Sequence, residues 1–259
     1  MRRNTYGFYA PDNDDVPVSM MKGQNIAGYS VGIVYLDDVW YPLIPGNVVN
    51  ACTYDFPVRM MAVPNLDNQR LFRADPTIAD DLVAVAKHLV EKEGCRAICS
   101  ACGFFGNFHK LVADSVDVPV ALSSLVQAPW IKATLKKNQK IGVLTANAGS
   151  VTPSLLENCG IENPEYLVFK DTLQTKEFSA VVTMAGKFDN AIAKSEVVQC
   201  AREMVAENPD IGAILLECSD MPPYASYIQC EVGLPVFDFI TLIRWLHNAT
   251  AQRPYQGFI

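Results

Sequence analysis

Two apolar runs in this chain stop at a thiol. The stretch Ala213-Ile-Leu-Leu-Glu-Cys-Ser-Asp-Met-Pro-Pro-Tyr224 reads as a strand covered on both faces that ends at Cys218. Pro222 and Pro223 forbid its continuation and suit the first turn of a helix. Arg96-Ala-Ile-Cys-Ser-Ala-Cys102 is a shorter strand of the same kind, followed by Gly103, Phe104 and a helix-like run to Val116. Strands are also expected at Ser30–Asp37, Phe56–Val63, Val118–Leu122, Gln139–Thr145, Tyr166–Phe169 and Leu234–Phe237. Helical periodicity covers Pro76–Glu93, closed by Gly94, then Ser124–Lys137, Ser150–Cys159, Ala185–Asn208, Pro223–Val232 and Phe239–Ala251. Residues 1–28 show no periodicity and read as an irregular arm on the surface or at an oligomer contact.

Strands alternating with helices imply α/β architecture with parallel sheets. Cys102 and Cys218 lie 116 residues apart, as do Pro119-Val120 and Pro235-Val236, while Gly32-Ile-Val and Gly142-Val-Leu are offset by 110. A unit of about 110 residues is thus expected twice. The expected fold is two similar α/β domains related by a pseudo-twofold, with an active site in the cleft between them. The first domain takes 1–124, with 236–259 packing back on it, and the second 125–235.

Composition narrows the function. Half of the 259 residues are hydrophobic, enough for a substantial core without staples. With 21 basic against 28 acidic residues and no Lys/Arg stripe, nucleic-acid binding is set aside. No apolar run reaches membrane-spanning length, and the polar, Asp-rich start does not resemble a signal peptide, so the default location is cytoplasmic. Several of the eight cysteines fall inside expected strands and helices, and all eight read as reduced thiols. Cys95, Cys99 and Cys102 have a spacing seen around iron-sulfur clusters, but a strand rather than a loop carries them, and no metal is expected. His88, His109 and His247 are dispersed, and Gly-x-Ser-x-Gly, Walker and dinucleotide patterns are missing.

The two thiols at strand ends remain. A cysteine at a helix N-terminus is expected to have a lowered pKa, so one thiolate can act as base while the opposed thiol acts as acid. Protons then leave and arrive on opposite faces of one carbon without a cofactor. Free amides at such strand ends can hold a small carboxylate substrate. Ser123, Ser124, Thr145 and Ser219 fall near strand ends as candidate donors, joined by Gly103, Phe104, Asp220 and Asn50, the last on a turn-rich loop that shapes a rim.

Cys102-Gly-Phe, Val118-Pro-Val with Ser123-Ser-Leu, Ile141-Gly-Val-Leu-Thr-Ala and Glu217-Cys-Ser-Asp-Met-Pro-Pro-Tyr together resemble the aspartate/glutamate/hydantoin racemase superfamily, from about Ser30 to Ala251. The resemblance implies two α/β domains and Cys102 and Cys218 as opposed acid and base, without cofactor. Tyr35-Leu36, Gly103-Phe104 and Ser219-Asp220 stand where glutamate racemases carry Asp-Ser, Asn-Thr and Thr-His, which points away from glutamate. Cys-Gly-Phe with Glu-Cys-x-x-x-Pro-Pro-Tyr is also similar to the branch containing algal dimethylsulfoniopropionate lyases. The leading expectation is a cofactor-independent amino-acid racemase or epimerase, a homo-oligomer. An α-proton-abstracting lyase is the alternative, and a non-catalytic small-carboxylate binder on the same scaffold the third reading.

Overall fold

The computed structural model describes residues 20–253 and 255–259, so most of the expected N-terminal arm lies outside the described residues. Among the described residues, eight strands form two parallel four-stranded sheets. The first holds β1 (Val31–Leu36), β2 (Val58–Val63), β3 (Ile98–Ser100) and β4 (Val120–Ala121) in the order β2-β1-β3-β4. The second holds β5 (Lys140–Thr145), β6 (Leu167–Asp171), β7 (Ile211–Leu216) and β8 (Val236–Phe237) in the order β6-β5-β7-β8. The strand order is therefore the same in both sheets, and β3 and β7 occupy the same place.

Each inner strand is buried on both faces, and the two faces feed different parts of the core. Along β7, Ala213 and Leu215 join a large cluster with Val34, Leu36 and Ile98 of the first sheet, while Ile214 and Leu216 join a second cluster with Leu144. In the first sheet, Val31, Ile33 and Cys99 point the other way, into a third cluster. One face of each sheet thus contributes to a shared core. Every fully buried Leu or Ile there stabilises the fold by about 1.5–3 kcal/mol before entropy is set against it.

The helices are α1 (Asn68–Phe72), α2 (Ala79–Glu91), α3 (His109–Ala113), α4 (Ala128–Thr134), α5 (Pro153–Asn158), α6 (Ala180–Thr183), α7 (Asn190–Glu207), α8 (Ala225–Val232) and α9 (Phe239–Thr250). α2 buries Leu82, Val85, Ala86 and Leu89 on one stripe, as the period requires, and places Asp80 and Asp81 where the helix dipole favours them. α9 starts from a capping box between Asp238 and Thr241 and packs Phe239, Leu242, Ile243 and Leu246 against β1 and β3.

Local differences from the sequence expectation have local causes. The run after Cys102 is a 3-10 segment, Gly103–Phe108, before the short α3, because Gly106 is a poor α-helix former held against Cys159 and Leu155. α7 begins at Asn190 rather than Ala185, since Asp189 caps Ala191 and Ile192 and Gly186 takes a φ of 72°. α1 and α6 were not foreseen; at five and four residues they carry almost no periodic signal.

Candidate active site

β3 and β7 stop at Ser100 and Leu216, two residues short of each thiol. The intervening residue is tied down in the same way in both halves. Ala101 N donates to Val34 O at 2.9 Å, and Glu217 N donates to Leu144 O at 2.8 Å. Each bond extends the ladder onto the central strand of its sheet, so Cys102 and Cys218 are fixed at the carboxyl ends. Ser219 Oγ donates to Ala101 O at 3.0 Å, joining the two strand ends directly.

Both thiols line one small cavity of about 30 Å³, together with Glu217, Asp220 and Tyr41. Leu36, Phe72, Phe104, Val181 and Met184 give it apolar wall, while Asn68 and Ser219 add polar side chains. Among the described residues, no Lys, Arg or His lines it. Asp220 is held on three sides: Asn47 Nδ2 donates to Oδ1, Tyr41 OH donates to Oδ2 at 3.2 Å, and Cys218 Sγ lies 3.5 Å from Oδ2 as a thiol donor. Thr145 Oγ1 donates to Glu217 Oε2 at 2.6 Å.

Crowding acids together out of water sets the electrostatics. Burial pushes Cys102 well above the usual thiol range, and Glu217 pushes it further; burial, then Asp220 and Glu217, do the same to Cys218. The sequence expectation of lowered thiol pKa values is therefore reversed in this cavity. The Phe104 and Asp220 amides do favour the respective thiolates, but less than burial opposes them. Burial likewise carries Asp220 up to about 6 and Glu217 up to about 7, against the hydrogen bonds that favour their ionised forms.

Of the residues singled out from sequence, Cys102, Phe104, Cys218, Ser219 and Asp220 come together around the cavity. Gly103 abuts Glu217, where a Cβ would lie 1.8 Å from Oε1, and Thr145 holds Glu217 from the second sheet. Ser123 and Ser124 are fully buried behind the cavity: Ser123 Oγ accepts from Leu125 N at 3.2 Å, and Ser124 Oγ donates to Leu216 O at 2.8 Å. Asn50 does not line the cavity; it caps its own loop by accepting from Cys52 N and donating to Leu43 O. From that loop, Asn47 reaches the site instead. Cys95 and Cys99 sit in different packing clusters, on opposite faces of the first sheet.

Glu217, Tyr41 and Asn47 were not given roles from the sequence. Glu217 did carry a signal, being a charge embedded between Leu216 and Cys218 at the end of a buried strand. Tyr41 and Asn47 lie on the irregular segment after β1, where no periodicity points to a partner.

The loop after β1, α1 after β2 and the segment around α6 all contribute to the cavity wall. Asn68 Nδ2 donates to Val182 O at 2.6 Å, and Gly186 N donates to Trp40 O at 2.7 Å, fastening the first half to the second. Among the described residues no helix is long and apolar enough to cross a membrane.

The sequence model of the family described as Asp/Glu/Hydantoin racemase matches residues 79–246. A dimethylsulfoniopropionate lyase of Durusdinium sp. clade D is 32% identical over 241 residues, covering 91% of this chain and 80% of that protein. Among solved structures, allantoin racemase from Pseudomonas fluorescens superposes with a TM-score of 0.57 at 14% identity, covering 88% of this chain and 99% of that one. Unliganded arylmalonate decarboxylase gives 0.55 at 15% identity over 88% of this chain and 94% of that one. At such identities the two structures speak for the shared fold alone.

Proposed function

The chain belongs to the Asp/Glu/hydantoin racemase family, and from that premise we propose that it is a lyase which removes the α-proton of a small carboxylate bearing a methylated cationic leaving group on the β-carbon, with dimethylsulfoniopropionate as the substrate to test first. The observation that carries this reading is the make-up of the cavity, which pairs carboxylates with apolar side chains and, among the described residues, offers no cation. A primary ammonium needs several acceptors around it, whereas a methylated sulfonium needs a negative charge and apolar contact. Asp220 supplies the charge, and Leu36, Phe72 and Val181 are among the apolar walls.

The unlike surroundings of the two thiols support the same reading. Cys218 is bonded to Asp220, whereas Cys102 opens a 3-10 turn beside Phe104. A racemase asks the same work of both thiols, one for each enantiomer; an elimination asks it of one. In this scheme the entering cation lowers the cost of ionising Cys218, whose proton passes to Asp220. The thiolate takes the α-hydrogen, the C–H electron pair becomes the Cα–Cβ double bond, and the Cβ–S pair leaves on sulfur as neutral dimethyl sulfide. Acrylate remains. One proton per turnover returns to solvent through Asp220.

This reverses the order of the two enzymatic readings drawn from the sequence. Racemisation of an amino acid remains the second, favoured by the retention of both thiols. The test is incubation with dimethylsulfoniopropionate, following acrylate and dimethyl sulfide, beside a panel of amino acids followed for solvent deuterium at the α-carbon. Acrylate release without exchange in any amino acid supports the lyase. Exchange without acrylate returns the racemase, and ligand binding with neither reaction returns the non-catalytic binder.

A further inference from the structure

Glu217 takes no part in the elimination as written, yet its surroundings are unusual for a carboxylate. It is completely buried, at the end of an apolar strand. Thr145 Oγ1 donates to Oε2, and the Ala146 amide lends the carboxyl a further hydrogen bond. Oε1 is buried without any partner. It occupies the space that a side chain at Gly103 would fill, next to Cys102.

Among the described residues, the titratable groups around it are all acids. Cys102 comes from the end of β3, Cys218 and Asp220 from beyond its own strand, Tyr41 from the loop after β1, and Cys159 from the end of α5. An anionic oxygen left bare in such a place is costly, and a proton on that oxygen removes the cost. Burial moves the carboxyl in this direction, up to about 7, with Asp220 adding to it.

The substrate carboxylate, meanwhile, needs donors. The Ser124 and Ser219 hydroxyls already donate to main-chain carbonyls, Thr145 donates to Glu217 itself, and the Asn47 amide donates to Asp220. We infer that Glu217 is a catalytic residue working as a neutral carboxylic acid, whose Oε1–H donates a hydrogen bond to the substrate carboxylate and stabilises the second negative charge that grows there as the α-proton leaves. No bond is made or broken at Glu217; the proton stays on Oε1. The inference rests on the lyase reading above for the identity of the substrate.

The test compares wild type with Glu217→Gln and Glu217→Met in the full chain, following acrylate release from dimethylsulfoniopropionate from about pH 5 to about pH 9. In the Gln variant the amide oxygen accepts from Thr145 and the amide NH₂ donates where Oε1–H did. Gln is expected to keep kcat within about threefold, whereas Met, which has no donor, loses about a hundredfold. Wild-type activity falls on the alkaline side as pH passes about 7, and the Gln variant escapes that fall. Infrared difference spectra between wild type and the Gln variant near pH 6 should show the carbonyl stretch of a neutral carboxylic acid that the variant lacks. The inference is overturned if Gln is as impaired as Met, if Met is as active as wild type, if the alkaline fall persists in Gln, or if wild type shows no such stretch. If wild type releases no acrylate, the lyase reading fails and the infrared band alone decides the state of Glu217.

Discussion

Glu217→Gln also measures what the buried carboxyl does to stability, apart from any substrate. The carboxyl moves from 4.5, its ordinary value, to about 7 in the folded protein, through burial first. Between those values the folded protein holds a proton that the unfolded chain has released. The stability tied to this proton is fully present below pH 4.5 and is lost as pH rises through about 7. The rise corresponds to about 3 kcal/mol, a large part of the net stability of a domain. Gln has no proton to lose and still accepts from Thr145. Relative to wild type it should therefore gain about 3 kcal/mol between about pH 4.5 and about pH 8. The assay is urea unfolding of both proteins at several pH values, read as a difference, so that titrating groups with no interaction with Glu217 cancel. A difference that does not change with pH, or one in which Gln loses ground as pH rises, refutes the reasoning.

Cys218→Ser should end acrylate release, by more than about a thousandfold, because a hydroxyl is far too weak an acid to supply the base; Cys102→Ser should lower the rate about tenfold, and equal losses in both would restore the symmetric two-base mechanism. Asp220→Asn removes the charge beside Cys218 and the acceptor for its proton. Steady-state kinetics should show kcat down by about a hundredfold and KM for the cationic substrate up by about tenfold, and unchanged constants would argue against its role. Gly103→Ala drives a methyl to within 1.8 Å of Glu217 Oε1 and 2.8 Å of Glu217 O, so thermal unfolding should show a loss of about 1–3 kcal/mol. Adding Glu217→Ala should recover part of that stability and none of the activity.

The alternation of strands and helices was legible because each inner strand is buried on both faces and each longer helix keeps a one-sided stripe, patterns that belong to single elements. The thiols were legible for the same reason: each ends an apolar run, and the repeat offset pairs them. What escaped was decided by tertiary contact. Asn50 and Asn47 look alike in sequence, yet the loop folds back so that Asn47 meets Asp220 while Asn50 caps the loop itself. Ser124 stands near a strand end as expected, but the approach of β7 claims its hydroxyl. The thiols' acidity was misjudged because a sequence shows the turn that follows a cysteine and hides the burial that opposes its ionisation and, for Cys102, the carboxylate that the other half brings beside it.

The clasp formed by Asn68 with Val182 and by Trp40 with Gly186 has a kinetic meaning. In the proposed reaction, entry of a substrate into this small cavity is expected to coincide with the halves parting. Two hydrogen bonds of about 1 kcal/mol each hold the closed form in excess by roughly thirtyfold. A substrate of the proposed reaction would then bind from a minor, open population, with an apparent affinity weaker than that of the closed site by the same factor. In that reaction the charge developing on the substrate would be met by fixed groups rather than by water, and the time between openings would set a ceiling on turnover that no change at the thiols could raise.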